Sequence, residues 1–264
     1  HFNRTGPLLV RTADGYAPLE DVQPQTLIAS LNTDLRLDHV SHATLWLKRA
    51  LPFEIHIFEF NPSYFAFEAA FREGFQPAYA ADMLEPAGYQ FVVNASFYDP
   101  GMKPLGWVVH QGIELSPEGK NWSGYFLVYD DGRVFFGPRA IRDVAEADIV
   151  EALQFYPSLI QDHEVFDYVV EESNSFFQGH EVTGRVLAGT YDDGRVVFVT
   201  TYFGGGLSVS EIAEIAQKLG LRHATLMDGG ASVQYALDLE GNHLEFTATG
   251  RPVPMFIGVR ERGD

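Results

Sequence analysis

Three short turn signals, each set between apolar runs, limit what this chain can fold into. Asp192-Asp193-Gly194 separates residues 186–190 from 196–203, Asp131-Gly132 separates 125–129 from 134–136, and Gly241-Asn242 separates 233–238 from 244–247. Glycine beside Asp or Asn supplies the positive φ of a tight hairpin, so each site predicts two antiparallel strands. Residues 44–48 and 53–60 alternate between polar and apolar types, with Leu51-Pro52 between them, and read as another antiparallel pair. His56 is expected on the solvent-facing side of the second of these strands. Residues 90–93, 107–110 and 255–260 add further strands, residues 154–160 lead into a short one, and the proline-punctuated start, 1–38, offers one more at 8–11.

Helical signals are fewer. Ser208 stands three residues before Glu211, a capping box. Ile212, Ile215, Ala216 and Leu219 follow on one helical face, and Gly220 occupies a C-terminal cap position. Residues 64–73 and 144–155 have helical composition, the second with Ile149, Ala152 and Leu153 on one side, and both are expected as helices. Residues 83–88 are expected as a loop, 167–172 as a strand and 173–183 as a polar loop. No repeat, low-complexity tract or linker divides the chain. The expectation is an α+β fold: a single domain over 1–264, with a large mixed or mostly antiparallel sheet and a few packed helices.

Composition removes several function classes. The 264 residues include no cysteine, which excludes disulfides, Cys-ligated zinc and thiol nucleophiles. Acidic residues number 36 against 18 basic, for a net charge of -18, which argues against nucleic acid or an anionic membrane surface as partner. No apolar run is long enough for a membrane-spanning helix, so membrane insertion is not expected. His1 stands where a Met would start a chain, which reads as a processed or truncated beginning. No His-x-x-x-His spacing or calcium-loop pattern is present, and no metal or cofactor is expected.

Two stretches carry candidate chemistry. A strand at 224–227 runs into Asp228-Gly229-Gly230-Ala231-Ser232. A carboxylate at a strand end beside two glycines and a hydroxyl suits an anion-binding nest, and equally a tight turn. The strand at 90–93 leads into Asn94-Ala95-Ser96-Phe97-Tyr98, then a long loop through Asp99, Lys103 and Gly106, and back to His110. Loops leaving rigid strands often carry sites, and an ordinary long connection would look the same.

Together these stretches resemble the phosphodiester glycosidase family. Its first block, an Asn-Gly-Gly-Phe-Phe run followed by Pro-x-Gly, is matched by residues 94–98 and by Pro104-Leu105-Gly106. Its middle block, Gln-x-Gly-Pro-x-Leu-Val, is matched at Gln154, Pro157, Leu159 and Ile160. Its Arg-Thr/Ser step before an Asp-Gly hairpin is matched at Arg185 and Asp193-Gly194. The helix block is matched by Gly206-Leu207-Ser208-Val209-Ser210-Glu211-Ile212-Ala213, and the signature Leu-Asp-Gly-Gly-Gly-Ser-Ser by residues 227–233. Ala95, Ser96 and Ala231 replace glycines of the pattern, and Val233 replaces a hydroxyl residue. The motif-bearing core is 89–260, and 1–88 is a divergent N-terminal part.

The resemblance implies a hydrolase that cleaves a sugar-1-phosphodiester at the glycosidic C–O bond to phosphate. Its partner is a small molecule or glycan bearing a phosphodiester. Asp228, Arg185 and Asn94 are the candidate catalytic residues. Asp228 would act as base or carbocation stabiliser, or brace Arg185, or ligate a cation. Arg185 would grip the phosphate in bidentate fashion, unless it is an ordinary strand-end arginine. Asn94 would orient sugar hydroxyls or brace the Asp228 loop, unless it is a purely structural residue at a strand end. Gly229, Gly230, Ser232, Ser96, Gly106 and His110 are candidate substrate-binding residues. His110 and His223 are candidate acid/bases; Asp99 and Glu211 are candidate second carboxylates, with Glu211 better suited to the helix cap. A periplasmic or secreted location accompanies the resemblance. The glycine losses keep two other readings open: a sugar-phosphate or glycan binding module, and a structural domain with a filled pocket.

Overall fold

The computed structural model describes residues 6–142, 148–170 and 181–263. The fold is the expected α+β single domain with a large antiparallel sheet, and two smaller sheets accompany the large one. The largest has ten strands. Along its width run Glu164–Val165, Ser158–Gln161, His223–Leu226, Val186–Thr190, Val196–Thr201, Pro52–Phe60, Val40–Lys48, Leu9–Thr12 and Gly15–Pro18, with Asn32–Arg36 also on Val40–Lys48. A five-stranded sheet joins Val134–Pro138, Gly124–Tyr129, Ile149–Phe155, Val108–His110 and Ile113–Ser116. The other joins Asn242–Thr247, Gln234–Leu239, Phe91–Asn94, Phe256–Glu261 and Phe65–Ala70. Neighbouring strands pair antiparallel throughout, including the expected hairpins.

The three sheets enclose one aromatic core. Phe58, Phe60 and Phe198 come from the large sheet, Phe65, Phe91 and Tyr235 from one small sheet, and Phe126, Phe136 and Phe155 from the other. The opposite face of the large sheet is covered by the helix Val209–Lys218. Its apolar stripe of Ile212, Ile215 and Ala216 packs on Leu45, Ile55, Leu187 and Val197. The capping box at Ser208 and Glu211 is formed, and Arg49 Nη2 donates to both carboxylate oxygens of Glu211, at 2.6 and 2.7 Å. Gly220 has φ of 88°.

Four local expectations are overturned. Residues 64–73 form the strand Phe65–Ala70, because Phe65, Phe67 and Ala69 alternate into the aromatic core with Ala66 and Glu68 outside it. The described part of 144–155 forms the strand Ile149–Phe155, and 143–147 lie outside the described residues. That strand is covered on both faces, with Leu153 and Phe155 in the aromatic core and Ile149 and Ala152 against Trp107 and Tyr125. Burial on both sides erases the two-residue alternation that identifies a strand. Residues 83–88, expected as a loop, belong instead to the helix Ala81–Ala87 and its left-handed cap Gly88, with Met83 and Leu84 packed on a small sheet. Residues Asp167–Val170 form a helical turn rather than a strand. Of the expected polar loop, 173–180 lie outside the described residues. His56 is also corrected: it is 4% exposed. It shares its strand face with Phe58 and Phe60, which turn that face towards the core.

Candidate functional site

Three strand ends meet around Asp228. Strand His223–Leu226 delivers the chain to Met227, whose N–H donates to the Val186 carbonyl at 2.9 Å. The Asp228 N–H then donates to the Ala95 carbonyl at 3.0 Å. Asn94 is 1% exposed and satisfied on both sides of its amide. Its Nδ2 donates to the Asp228 carbonyl at 2.7 Å, and its Oδ1 accepts the Gln234 N–H at 3.0 Å. These two contacts tie the Asp228 loop to the strand Gln234–Leu239 through the Asn94 amide.

The glycines allow backbones to approach closely. A Cβ on Gly229 would lie 2.6 Å from the Gly184 carbonyl oxygen. Gly230 has φ of 60°, and its N–H donates to that same oxygen at 2.8 Å. The Gly229 N–H is directed to the Asp228 carboxylate. The expected anion nest is therefore corrected in part: these two donors are already engaged within the protein.

Asp228 is partly exposed. Burial pushes its carboxyl up to about 6, while hydrogen bonds from the Ser232 hydroxyl and the Gly229 N–H, and the charge of Arg251, act in the opposite direction. The Ser232 hydroxyl lies 3.1 Å from the Tyr98 hydroxyl. The Arg251 guanidinium stands 5.5 Å from the Tyr98 ring centroid. The loop carrying Arg251 is fixed to the same region. Gln234 Nε2 donates to the Arg251 carbonyl at 3.0 Å, Thr249 Oγ1 to the Ala231 carbonyl at 3.0 Å, and Tyr79 to the Gly250 carbonyl at 2.7 Å. Asp228, Ser232, Tyr98 and Arg251 thus form one group, a carboxylate with hydroxyls and a cation beside it.

Arg185 has a different position. It is 5% exposed; Nε donates to the Leu207 carbonyl at 3.0 Å and Nη2 to the Glu181 carbonyl at 2.7 Å. Burial lowers its pKa to about 10, so it remains charged at neutral pH. Its backbone neighbours the Gly229 loop through Gly184, but its guanidinium ties residues 181 and 207 together. The cation whose charge acts on Asp228 is Arg251. A cation in a Gly-Arg-Pro loop before the last strand was the available sequence signal, a faint one.

The remaining candidates divide between support and separate networks. Ser96 is 2% exposed, and its hydroxyl has no partner among the described residues. Gly106, with φ of 87°, leaves room for Gln154, whose Oε1 would lie 3.1 Å from an added Cβ. His110 pairs with buried Glu151 at 3.0 Å, and its ring meets Phe71 edge-on. His223 begins the strand that ends before Asp228, and its Nδ1 accepts the Asp162 N–H at 3.2 Å. Five residues of extended chain put it about 15 Å from Asp228. Asp99 closes its own turn by accepting the Lys103 N–H at 3.0 Å. Neither histidine belongs to the Asp228 group. Among the described residues, a pocket of about 260 Å³ is lined by Phe97, Asn121, Trp122 and Tyr156.

The architecture has solved relatives. A hypothetical protein from Synechocystis superposes with a TM-score of 0.66 at 14% identity, over 88% of this chain and 64% of that one. The catalytic domain of zebrafish N-acetylglucosamine-1-phosphodiester alpha-N-acetylglucosaminidase, auto-inhibited by its pro-peptide, superposes at 0.68 with 15% identity, over 92% of each chain. A Burkholderia pseudomallei K96243 protein described as exported superposes at 0.54 with 13% identity, over 82% of this chain and 74% of that one. The chain thus spans less than two thirds of the length of the Synechocystis protein, and at these identities the likeness is one of fold. No curated protein matches the sequence. The family model of the phosphodiester glycosidases does match, over residues 87–260, which hold every strand end that meets at Asp228: the chain belongs to the phosphodiester glycosidase family.

Proposed function

We propose that the protein is a hydrolase that cleaves a sugar-1-phosphodiester between the anomeric carbon and the phosphate oxygen, with Asp228 at the reacting centre. The observation that carries this reading is the Asp228 group: a partly exposed carboxylate at a strand end, with the hydroxyls of Ser232 and Tyr98 and the Arg251 guanidinium around it. Family membership and the enzyme named among the structural relatives support it.

In this reading Arg251 and Tyr98 hold the phosphate, and Arg185 and Asn94 brace the loops that carry the site. A phosphate oxygen leaves as a weak base, so the reaction needs little help from an acid at that end. It needs a negative group beside the sugar carbon as positive charge develops there. Asp228, ionised above about pH 6, supplies that charge and accepts the proton of the attacking water. The water oxygen bonds to the anomeric carbon and the C–O bond breaks. Its electron pair stays on the phosphate oxygen, and the proton on Asp228 returns to solvent. We place this activity in the periplasm or outside the cell, a reading supported by the exported Burkholderia relative.

The runner-up is a binding module that holds the same diester intact, motivated by the residues that replace family glycines. Two of them speak against a blocked cleft, since Ala95 and Ser96 are 1% and 2% exposed and so are packed inside. The test is release of free sugar from a panel of glycosyl-1-phosphodiesters. Asp228→Asn should lower kcat by about 10²–10⁴-fold and Arg251→Ala should mainly raise KM. Saturable binding of the intact diester with no sugar released would favour the module instead.

A further inference from the structure

Arg251 belongs to an exposed stretch, 248–251, that holds neither strand nor helix. Its place beside Tyr98 and Asp228 therefore comes from what the stretch is tied to. Each residue of it is held by a hydrogen bond. The Ala248 N–H donates to the Val233 carbonyl at 2.8 Å, and Thr249 Oγ1 to the Ala231 carbonyl at 3.0 Å. The Tyr79 hydroxyl donates to the Gly250 carbonyl at 2.7 Å, and Gln234 Nε2 to the Arg251 carbonyl at 3.0 Å. The bonds from Thr249 and Tyr79 lie at the surface, where water can replace either partner. The bond from Gln234 comes from a fully buried side chain, which has no water to turn to.

Gln234 is tied on three sides. Its Oε1 accepts the Ala80 N–H at 2.8 Å, its Nε2 holds Arg251, and its backbone N–H donates to Asn94 Oδ1 at 3.0 Å. Asn94 Nδ2 in turn donates to the Asp228 carbonyl at 2.7 Å. The orientation of the Gln234 amide is fixed by its partners, since a backbone N–H only donates and a carbonyl only accepts. Ala80 leads directly into the helix Ala81–Ala87, and Ala78 exchanges backbone hydrogen bonds with Val253, both at 2.9 Å. Residues 78–80 thus lie along the Arg251 stretch, although they precede the family-matched residues 87–260.

We propose that Gln234 is the positioning residue of the site: its side-chain amide sets the Arg251 stretch, and its backbone N–H, through Asn94, sets the Asp228 loop. One buried residue thereby fixes where the cation stands relative to the carboxylate. The consequence for turnover rests on the hydrolase reading above; the placement does not.

The test is a carboxyl-carbon NMR titration of Asp228 in the full chain, assigned with Asp228→Asn, together with KM and kcat on glycosyl-1-phosphodiesters. The charge of Arg251 lowers the Asp228 pKa, so Arg251→Ala should move the titration midpoint upward. Gln234→Met keeps a similar volume but has neither donor nor acceptor. It should move the midpoint in the same direction and raise KM about 3–10-fold, as for one lost hydrogen bond, with kcat changed less. In the double variant Gln234→Met/Arg251→Ala the midpoint should stand where Arg251→Ala alone puts it, because both changes act through one guanidinium. Gln234→Glu, if the methionine variant does not fold, carries the same comparison. Its protonated acid can donate to the Arg251 carbonyl and its carboxylate cannot, so its KM should approach the parent's as pH falls and depart from it as pH rises. A Gln234→Met protein that loses thermal stability but keeps the parent midpoint and KM overturns the proposal, since that is what a merely structural residue would do. So do midpoint shifts that add in the double variant, or a Gln234→Glu protein that matches the parent at every pH. If no diester is hydrolysed, the hydrolase reading falls, and the NMR comparison still decides the placement.

Discussion

The buried His42–His56 pair predicts how the protein should respond to acid. His42 Nε2 and His56 Nδ1 are 2.8 Å apart and the rings are nearly parallel, at 14°. The two residues are 8% and 4% exposed. Asp34 lies 3.8 Å from His42, and Glu54 lies 3.3 Å from His56, which also faces the Tyr202 and Tyr235 rings. Burial lowers both imidazole pKa values from 6.5 to about 4; for His42 the charge of His56 adds to this, and for both Asp34 opposes it. The folded protein thus keeps the pair neutral where the unfolded chain has already taken up protons. Between about pH 6.5 and 4 the unfolded state binds more protons, so stability falls as pH falls. At pH 4.5 one imidazole moving from 6.5 to about 4 is worth ~2.5 kcal/mol, and the second adds less because the two are coupled. Asp228 and Glu54 act in the opposite sense, since burial raises both, so each favours folding as pH falls through the same range. The assay is urea unfolding at about pH 7.5 and 4.5 for the parent, the double variant His42→Gln/His56→Gln, and Asp228→Asn. The parent should lose roughly 2–3 kcal/mol more than the double variant, and Asp228→Asn should lose more than the parent. An equal loss in parent and double variant would refute the account of the pair.

Three further outcomes are expected. The kcat/KM for diester hydrolysis should fall below about pH 6 along a single ionisation, because the Asp228 carboxyl sits at about 6 and acts when ionised; Asp228→Asn should remove that limb, and a rate flat from pH 7 to 4.5 would contradict the role. Gly229→Ala places a Cβ 2.6 Å from the Gly184 carbonyl oxygen, so it should destabilise by about 1–3 kcal/mol in denaturant titration and lower turnover by displacing Asp228. Ser208→Ala removes one half of the capping box and should cost about 1 kcal/mol by the same titration, while the Arg49–Glu211 pair remains.

The hairpins were readable because turn chemistry is local. Asp131-Gly132, Asp193-Gly194 and Gly241-Asn242 each join strands that pair in the expected order. The helices assigned to 64–73 and 144–155 failed for a non-local reason. Phe65–Ala70 is held extended by Phe256–Glu261, nearly two hundred residues away, and Ile149–Phe155 by cover on both faces. The site divides along the same line. Asp228, Ser232 and Asn94 converge, because motif residues at strand ends face one another once the strands pair. Arg185 shares their motif set, yet its guanidinium is turned to the carbonyls of Leu207 and Glu181. Arg251 and Trp122 sit in loops whose place depends on side chains outside those loops, Gln234 and Gln154, and the faint Gly250-Arg251-Pro252 turn is the one local signal for Arg251.

The ten-stranded sheet also limits how the gene can be trimmed. The family match starts at residue 87, but Leu9–Thr12, Gly15–Pro18, Asn32–Arg36, Val40–Lys48 and Pro52–Phe60 supply five of the ten strands, and Phe65–Ala70 closes one margin of a smaller sheet. A fragment cut at the family boundary would leave Val196–Thr201 with a bare flank of unpaired amides and strip Phe58, Phe60 and Phe65 from the centre. The family-matched segment is therefore no portable module: it needs the leading third of the chain as its other half, and expression of it alone should yield aggregate.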